Sequence, residues 1–213
     1  MVRDKVIAID GPAGSGKSTM ARTLAKELNL LYVDTGAMYR AIGLIAHNRN
    51  VPFDGPSLEK LLSTMELKYI GEKENLLTID GENLTSSIRD HFVSELASEI
   101  SKQKVVRDFL VKIQRELARD RIIVMEGRDI GTVVFPNAFC KIFLTASEEI
   151  RAKRRHLELS QKGHDIAFQK VFGDVKNRDE RDQQRELAPL KPASDAVLLD
   201  TSSLDLKGAL MAL

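Results

Sequence analysis

The chain has no tryptophan, a single cysteine and few aromatic residues, which make up 5% of it. One cysteine, Cys140, cannot close an internal disulfide, so a disulfide scaffold is excluded and a reducing, cytoplasmic setting is expected. Cys140 opens the apolar stretch Cys140-Lys141-Ile142-Phe143-Leu144 and is expected to be a buried structural thiol rather than a reactive one. The four histidines are scattered, with no Cys/His ligand spacing, so no zinc site is predicted. Neither sign of charge is in excess: 32 basic and 31 acidic residues give a formal net charge of +1. That balance removes the electrostatic case for nucleic acid or a membrane surface as a partner. No apolar run is long enough to cross a bilayer, and Met1-Val2-Arg3-Asp4-Lys5 leads into the first strand without a signal-peptide pattern. There is no internal repeat and no low-complexity segment. The 213 residues, 43% hydrophobic, suffice for one substantial domain with an insertion.

Five short apolar runs read as strands: Val6–Ile9, Leu30–Val33, Ile122–Met125, Lys141–Leu144 and Ala196–Leu199. They are continuous rather than alternating, as in a parallel sheet covered on both faces. Helical periodicity lies between them, over Ser18–Leu28, Gly36–His47 with Asp34 or Thr35 as its N-cap, and Lys104–Ala118. The pattern predicts an α/β fold with a five-stranded parallel sheet flanked by helices. Two stretches break the alternation. Leu67–Ile70, the turn-like Gly71-Glu72-Lys73-Glu74-Asn75 and Leu76–Ile79 form a hairpin signature, and Asp80-Gly81 signals a turn into a further short strand. Glu148–Leu187 is charged and helical with an interruption at Lys162-Gly163-His164-Asp165, as two helices joined by a turn. After the last strand, Leu204, Leu206, Leu210 and Leu213 predict a small closing helix.

Between the first strand and the first helix stands Gly11-Pro12-Ala13-Gly14-Ser15-Gly16-Lys17-Ser18, followed by Thr19. This is G-x-x-x-x-G-K-S in the setting that a P-loop requires. The glycines let successive backbone N–H groups turn inward around phosphate oxygens. Lys17 reaches the β- and γ-phosphates, the Ser18 hydroxyl is placed to ligate Mg²⁺, and the helix start adds its positive dipole end. A dinucleotide fingerprint fails, because Thr19 occupies the position of its third glycine.

The arginines narrow the chemistry. Arg40 follows the second strand, Arg128-Asp129 follows the third, and Arg178, Arg181 and Arg185 recur along one charged segment. Ligands of open α/β sheets bind at the carboxyl ends of the strands, so Arg40, Arg128 and the P-loop should share one crevice. A phosphoryl transferase must hold two anions against each other, at about 4 kcal/mol per close like-charge contact for an effective dielectric near 20. Arginines offset that repulsion and stabilise the group in transfer. The segment 178–185 also reads as a solvated helix face, with Arg178 and Asp182, and Arg181 and Arg185, as helix neighbours. Glu126, at the end of the third strand, suits either the positioning of waters on Mg²⁺ or a structural role.

The blocks Asp34-Thr35-Gly36-Ala37-Met38-Tyr39-Arg40, Glu126 to Pro136 (EGRDIGTVVFP), Arg178-Asp179-Glu180-Arg181-Asp182 and Ala188-Pro189-Leu190 are far more specific than the P-loop. Together with Ile9–Thr19 they make the chain, from about Val6 to Thr201, resemble the bacterial cytidylate kinase family of nucleoside monophosphate kinases. The resemblance implies a single P-loop kinase domain over 1–213, with a monophosphate-binding insertion at about 36–103 and a lid at about 151–185. It implies transfer of the ATP γ-phosphate to CMP and dCMP with Mg²⁺, by a cytoplasmic monomer acting on small molecules. By position, Ser98, Arg107 and Asp129 match the family's cytosine contacts. Arg40, Arg128 and Arg185 match its phosphate contacts, and Thr35, Arg178 and Asp182 match residues near the ribose and phosphate. Lys17, Arg128, Arg178 and Arg185 are expected to be catalytic, with Tyr39 also in the substrate site. The chemistry is consistent: a carboxylate accepts from the cytosine amino group and an arginine donates to N3 and O2. Ser98 sits in a helical run, where a plain helix serine is the other reading. A different small P-loop kinase, for UMP, AMP or a small alcohol, is the alternative. A GTPase-like switch lacks support, because no Asn-Lys-x-Asp occurs.

Overall fold

The computed structural model describes residues 3–70 and 76–212. Its strands are β1 (Asp4–Asp10), β2 (Leu31–Asp34), β3 (Leu67–Ile70), β4 (Leu76–Ile79), β5 (Glu82–Asn83), β6 (Ile123–Gly127), β7 (Ala138–Thr145) and β8 (Val197–Asp200). Its helices are α1 (Lys17–Glu27), α2 (Thr35–Asn48), α3 (Gly55–Ser63), α4 (His91–Ile100), α5 (Lys104–Leu117), α6 (Glu148–Gln161), α7 (Phe168–Gln183) and α8 (Leu206–Met211). Five strands form one parallel sheet in the order β2-β6-β1-β7-β8, and β3-β4-β5 form a separate antiparallel sheet. The five apolar runs are the five parallel strands. β7 starts at Ala138, three residues ahead of the predicted Lys141, because the chain pairs with β1 as soon as it leaves the loop at Asn137.

The period-two geometry of the strands divides the apolar residues between two cores. Val6, Ala8, Val33, Ile123 and Met125 face one core, with α2, α3, α5 and the small sheet. Ile7, Ile9, Tyr32, Val124, Ile142 and Leu144 face the other, with Met20, Ala21 and Ala25 of α1 and Ala209 of α8. A strand with both faces covered must be apolar throughout, which is why these runs do not alternate. β8 is an edge strand, and Val197 and Leu198 are exposed.

The small sheet does alternate: Leu67, Tyr69, Leu77 and Ile79 are buried. Asp80 and Gly81, with φ of 52° and 84°, make the two-residue turn that pairs Ile79 with Glu82. The predicted turn at 71–75 lies outside the described residues, as does Leu213. The segment between β2 and β6 also holds α3 and α4 around that sheet, more helix than the predicted hairpin unit. The Tyr69 phenol bonds it to β2. The Tyr69 hydroxyl donates to the Tyr32 carbonyl at 3.2 Å and accepts from the Asp34 N–H at 3.1 Å, occupying backbone groups on the free edge of the sheet. Cys140 is only half-buried, since β7 nears its exposed end there. Burial still pushes its thiol up, away from the reactive thiolate.

Candidate active site

The strand register sets the site. Asp34 pairs with Glu126 across β2 and β6, and Asp10 pairs with Gly127 across β6 and β1. Asp34 and Glu126 therefore stand side by side on one face of the sheet and Asp10, one position further on, on the other, and the loops that leave those strands are the P-loop, the start of α2 and Arg128-Asp129.

The P-loop leaves β1 through Gly11, whose φ of 155° and lack of a side chain are both needed. A Cβ there would lie 2.0 Å from the Leu144 carbonyl oxygen. Gly14 presses on α6 in the same way, at 2.9 Å from the Arg151 carbonyl oxygen. No side chain among the described residues caps the start of α1, so its first N–H groups are free of a side-chain acceptor. Lys17 is buried and donates to the Pro12 carbonyl at 3.2 Å. Burial, with Arg128 adding repulsion, lowers its pKa to about 7. Burial and the nearby Asp34 raise Glu126, against the hydroxyls of Ser18 and Tyr32, the latter donating at 2.8 Å. A hydroxyl beside a buried carboxylate at a phosphate cradle is a donor set that fits Mg²⁺, which keeps most of its waters and takes few protein ligands.

One cleft of about 730 Å³ is lined by Ala13, Gly14, Gly16, Lys17, Ser18, Thr19, Thr35, Tyr39, Arg40, Ser98, Arg107, Arg128, Asp129, Arg178, Asp182 and Arg185. Sixteen residues predicted from separate segments thus meet. Gly11, Pro12 and Ser15 lie buried behind the rim and shape the loop instead. The Thr35 hydroxyl is committed to the Glu126 carbonyl at 2.7 Å. Arg40 pairs with Asp34 at 2.9 Å. Arg107 and Asp129 form a buried ion pair beside Tyr39, whose ring centroid is 6.0 Å from the guanidinium. The Ser98 hydroxyl is buried and has no partner among the described residues, so it is not an ordinary helix serine satisfied by its own turn.

The segment 178–185 is solvated on one side only: Glu180, Arg181, Gln183 and Gln184 are exposed, whereas Arg178, Asp179, Asp182 and Arg185 turn inward. Asp179 and Asp182 are buried, and Asp182 pairs with Arg128 at 2.9 Å and with Arg185, not with Arg178 as helix spacing suggested. Those two pairings hold the Asp182 carboxyl below its ordinary range despite burial. Arg178 has no ion pair of its own among the described residues. Burial, with Arg128 next, lowers its pKa to about 10, and its Nε has no partner among the described residues.

Sequence reasoning missed Arg151. It is buried, donates to the carbonyls of Ala146 at 2.8 Å and Ala13 at 3.1 Å, and pairs with Asp179 at 2.5 Å. One guanidinium therefore joins the P-loop backbone to α7. Arg154 makes a parallel link, to Ser15 and Thr201. The signal was present in the run Arg151 to Arg155, but its charge pattern reads equally as an exposed helix.

The family model described as "Cytidylate kinase" matches residues 7–210. The chain belongs to the cytidylate kinase family. It is 47% identical to the cytidylate kinase of Caldicellulosiruptor bescii over 96% of this chain and 91% of that one. It is 45% identical to that of an Exiguobacterium species over 100% of this chain and 96% of that one. Among solved structures, an uncharacterized protein from Eubacterium ventriosum superposes with a TM-score of 0.51 at 14% identity, over 97% of this chain and 94% of that one, a likeness of fold. No helix among the described residues is long and apolar enough to cross a membrane.

The state of Lys17 gives a pH prediction. With its folded pKa lowered to about 7, the unfolded chain binds the extra proton first. Stability therefore falls as pH drops through the interval from the ordinary lysine range to about 7, and the loss is complete below it. Phosphates in the loop restore the charged form. Binding of a non-hydrolysable ATP analogue at pH 8 should take up close to one proton, read by calorimetry in buffers of different ionisation enthalpy. Lys17→Met should abolish the uptake. Equal heats in every buffer for the unsubstituted enzyme would contradict the assignment.

Proposed function

We propose that the enzyme transfers the γ-phosphate of ATP to CMP and dCMP, giving ADP and the corresponding diphosphate, with Mg²⁺, as a cytoplasmic monomer that acts on small molecules. The observation that carries this reading is one cleft that contains both a phosphate cradle and a buried Arg107–Asp129 pair suited to a pyrimidine edge. The uncapped start of α1 and Lys17 take the donor phosphates. Lys17 follows charge as it moves from the γ-phosphate toward the β-phosphate, and so favours the transition state over the ground state. Ser18 and Glu126 are the residues that would hold Mg²⁺, which, when bound, neutralises phosphate charge. Arg40, Arg128 and Arg185 take the acceptor phosphate, and Arg178, still unpaired, supplies charge to the transferring group. Thr35 and Asp182 act near the ribose and phosphate through the residues they fix in place.

Base choice falls to Asp129, Arg107 and Ser98. Asp129 accepts from the cytosine amino group and Arg107 donates to the ring acceptors. Uracil puts a carbonyl where the amino group was, and faces Asp129 with an unpaired acceptor. Asp129→Asn should lower kcat/KM for CMP more than for UMP, a swing of about 1–3 kcal/mol by analogy with base readout in nucleic acids. Initial rates of ADP release across CMP, dCMP, UMP, AMP and GMP read both the substrate class and this swing. Equal losses for CMP and UMP would remove Asp129 from base reading, and a preference for AMP would overturn the proposed acceptor.

The site must admit two large anions and then exclude water, or ATP would be hydrolysed. The α6–α7 pair is the candidate lid: Arg155, Lys162 and Arg178 line the cleft, and Gly163, with φ of 82°, lies in the turn between the helices. Amide exchange with a bisubstrate analogue should show new protection over α6, α7 and α4 and little change in β1, β6 and β7. Equal exchange with and without tightly bound analogue would contradict closure.

A further inference from the structure

Asp10 has no part in the reaction described above. It ends the central strand β1, where both faces are covered, and it is buried, with the charges of Asp129 and Arg128 close enough to act on it. A carboxylate at such a position is unfavourable unless both oxygens are satisfied. Here each takes one bond: Oδ1 accepts from the Ile130 N–H at 2.8 Å and Oδ2 from the Gly131 N–H at 2.7 Å. Those two residues open the wide helical turn Ile130–Val134, closed by Phe135 N–H donating to the Ile130 carbonyl at 2.7 Å.

The residue that precedes a helical turn normally satisfies one of the turn's first donors itself. Its side-chain oxygen accepts from the second or third N–H that follows. Asp34, Asp54 and Asp205 cap their own helices in this way. Asp129 stands in the same position before Ile130 and makes no such bond; its carboxylate turns instead to Arg107. Gly131 admits the substitute cap, since a Cβ there would lie 3.4 Å from Asp10 Oδ2 and 3.2 Å from Lys141 Cδ.

We propose that Asp10 is a positioning residue for base selection: it caps the turn after Asp129 from another strand, which frees the Asp129 carboxylate to face Arg107 and the acceptor base. Without Asp10, the N–H of Gly131 becomes a buried orphan within reach of the one carboxylate that local geometry favours, that of Asp129. Asp129 then serves its own turn at the expense of the base. The proposal rests on the reading of Asp129 as a base contact.

The test compares kcat/KM for CMP and UMP in the unsubstituted enzyme, D10N, D129N and D10N/D129N. D10N keeps the shape of the side chain but turns a donor toward one of the two N–H groups. The ratio of CMP to UMP should fall about fivefold or more in D10N, on the scale of one hydrogen bond. KM for ATP should stay within about threefold, because the bonds lost are not to the P-loop. Added to D129N, the same change should move the ratio less than about twofold, since the reader is already gone. Where D10N is too unstable for kinetics, D10S, whose hydroxyl still accepts one N–H, takes its place. Equal losses for CMP and UMP in D10N, with the ratio unchanged, would make Asp10 merely structural and overturn the proposal. A ratio unmoved by D129N itself would remove the base-reading assignment, and this proposal with it.

Discussion

Repulsion between like charges governs this molecule. Two nucleotides must be brought phosphate to phosphate, and the protein meets them with cations that repel one another while the cleft is empty. Lys17, Arg128 and Arg178 lie close enough to shift one another's ionisation, and Arg40 and Arg155 add to the crowd around Arg178. Part of that charge is held by protein anions: Asp182 serves Arg128 and Arg185, Asp34 serves Arg40, and Asp129 serves Arg107. The pairs keep each guanidinium in place. Among the described residues Arg178 and Lys17 have no such partner, and burial first, with repulsion from Arg128 next, depresses the pKa of both, a cost that a bound polyphosphate offsets.

The scaffold serves this arrangement by placing three strand ends side by side. β2, β6 and β1 are adjacent, so α2, the Arg128-Asp129 turn and the P-loop emerge within reach of one another although they are far apart in sequence. Buried polar links then tie the loops together. Thr35 bonds β6, Asp10 bonds the turn after β6, and Arg151 joins the P-loop backbone to α7. Such links are costly when half-made, so they restrict the site to a few mutually consistent arrangements.

Much of this was legible in the sequence, for identifiable reasons. Continuous apolar runs marked the inner parallel strands because both faces of the sheet are covered there, whereas the run at β8 lies on an exposed edge. Asp80-Gly81 marked its turn because both residues need positive φ. The P-loop was explicit, since its glycines make contacts that no other residue permits. Pairings across the fold were not legible. Helix spacing paired Asp182 with Arg178, whereas tertiary structure brings Arg128 to Asp182 from another strand end. The run of charges at 178–185 looks alike whether it meets water or a cleft, and so does Arg151. The helix α3 was submerged in the hairpin signal beside it, and of α4 only the run around Ser98 was read as helical.

The central claim is that unpaired positive charge in the cleft destabilises the empty fold and is retained for transfer. Arg178→Met tests it most directly, by urea unfolding of the ligand-free protein beside single-turnover transfer from ATP to CMP. The account predicts an empty fold about 0.5–2 kcal/mol more stable and transfer slowed by about a hundredfold or more. A less stable empty fold, or transfer kept near the unsubstituted rate, would contradict it.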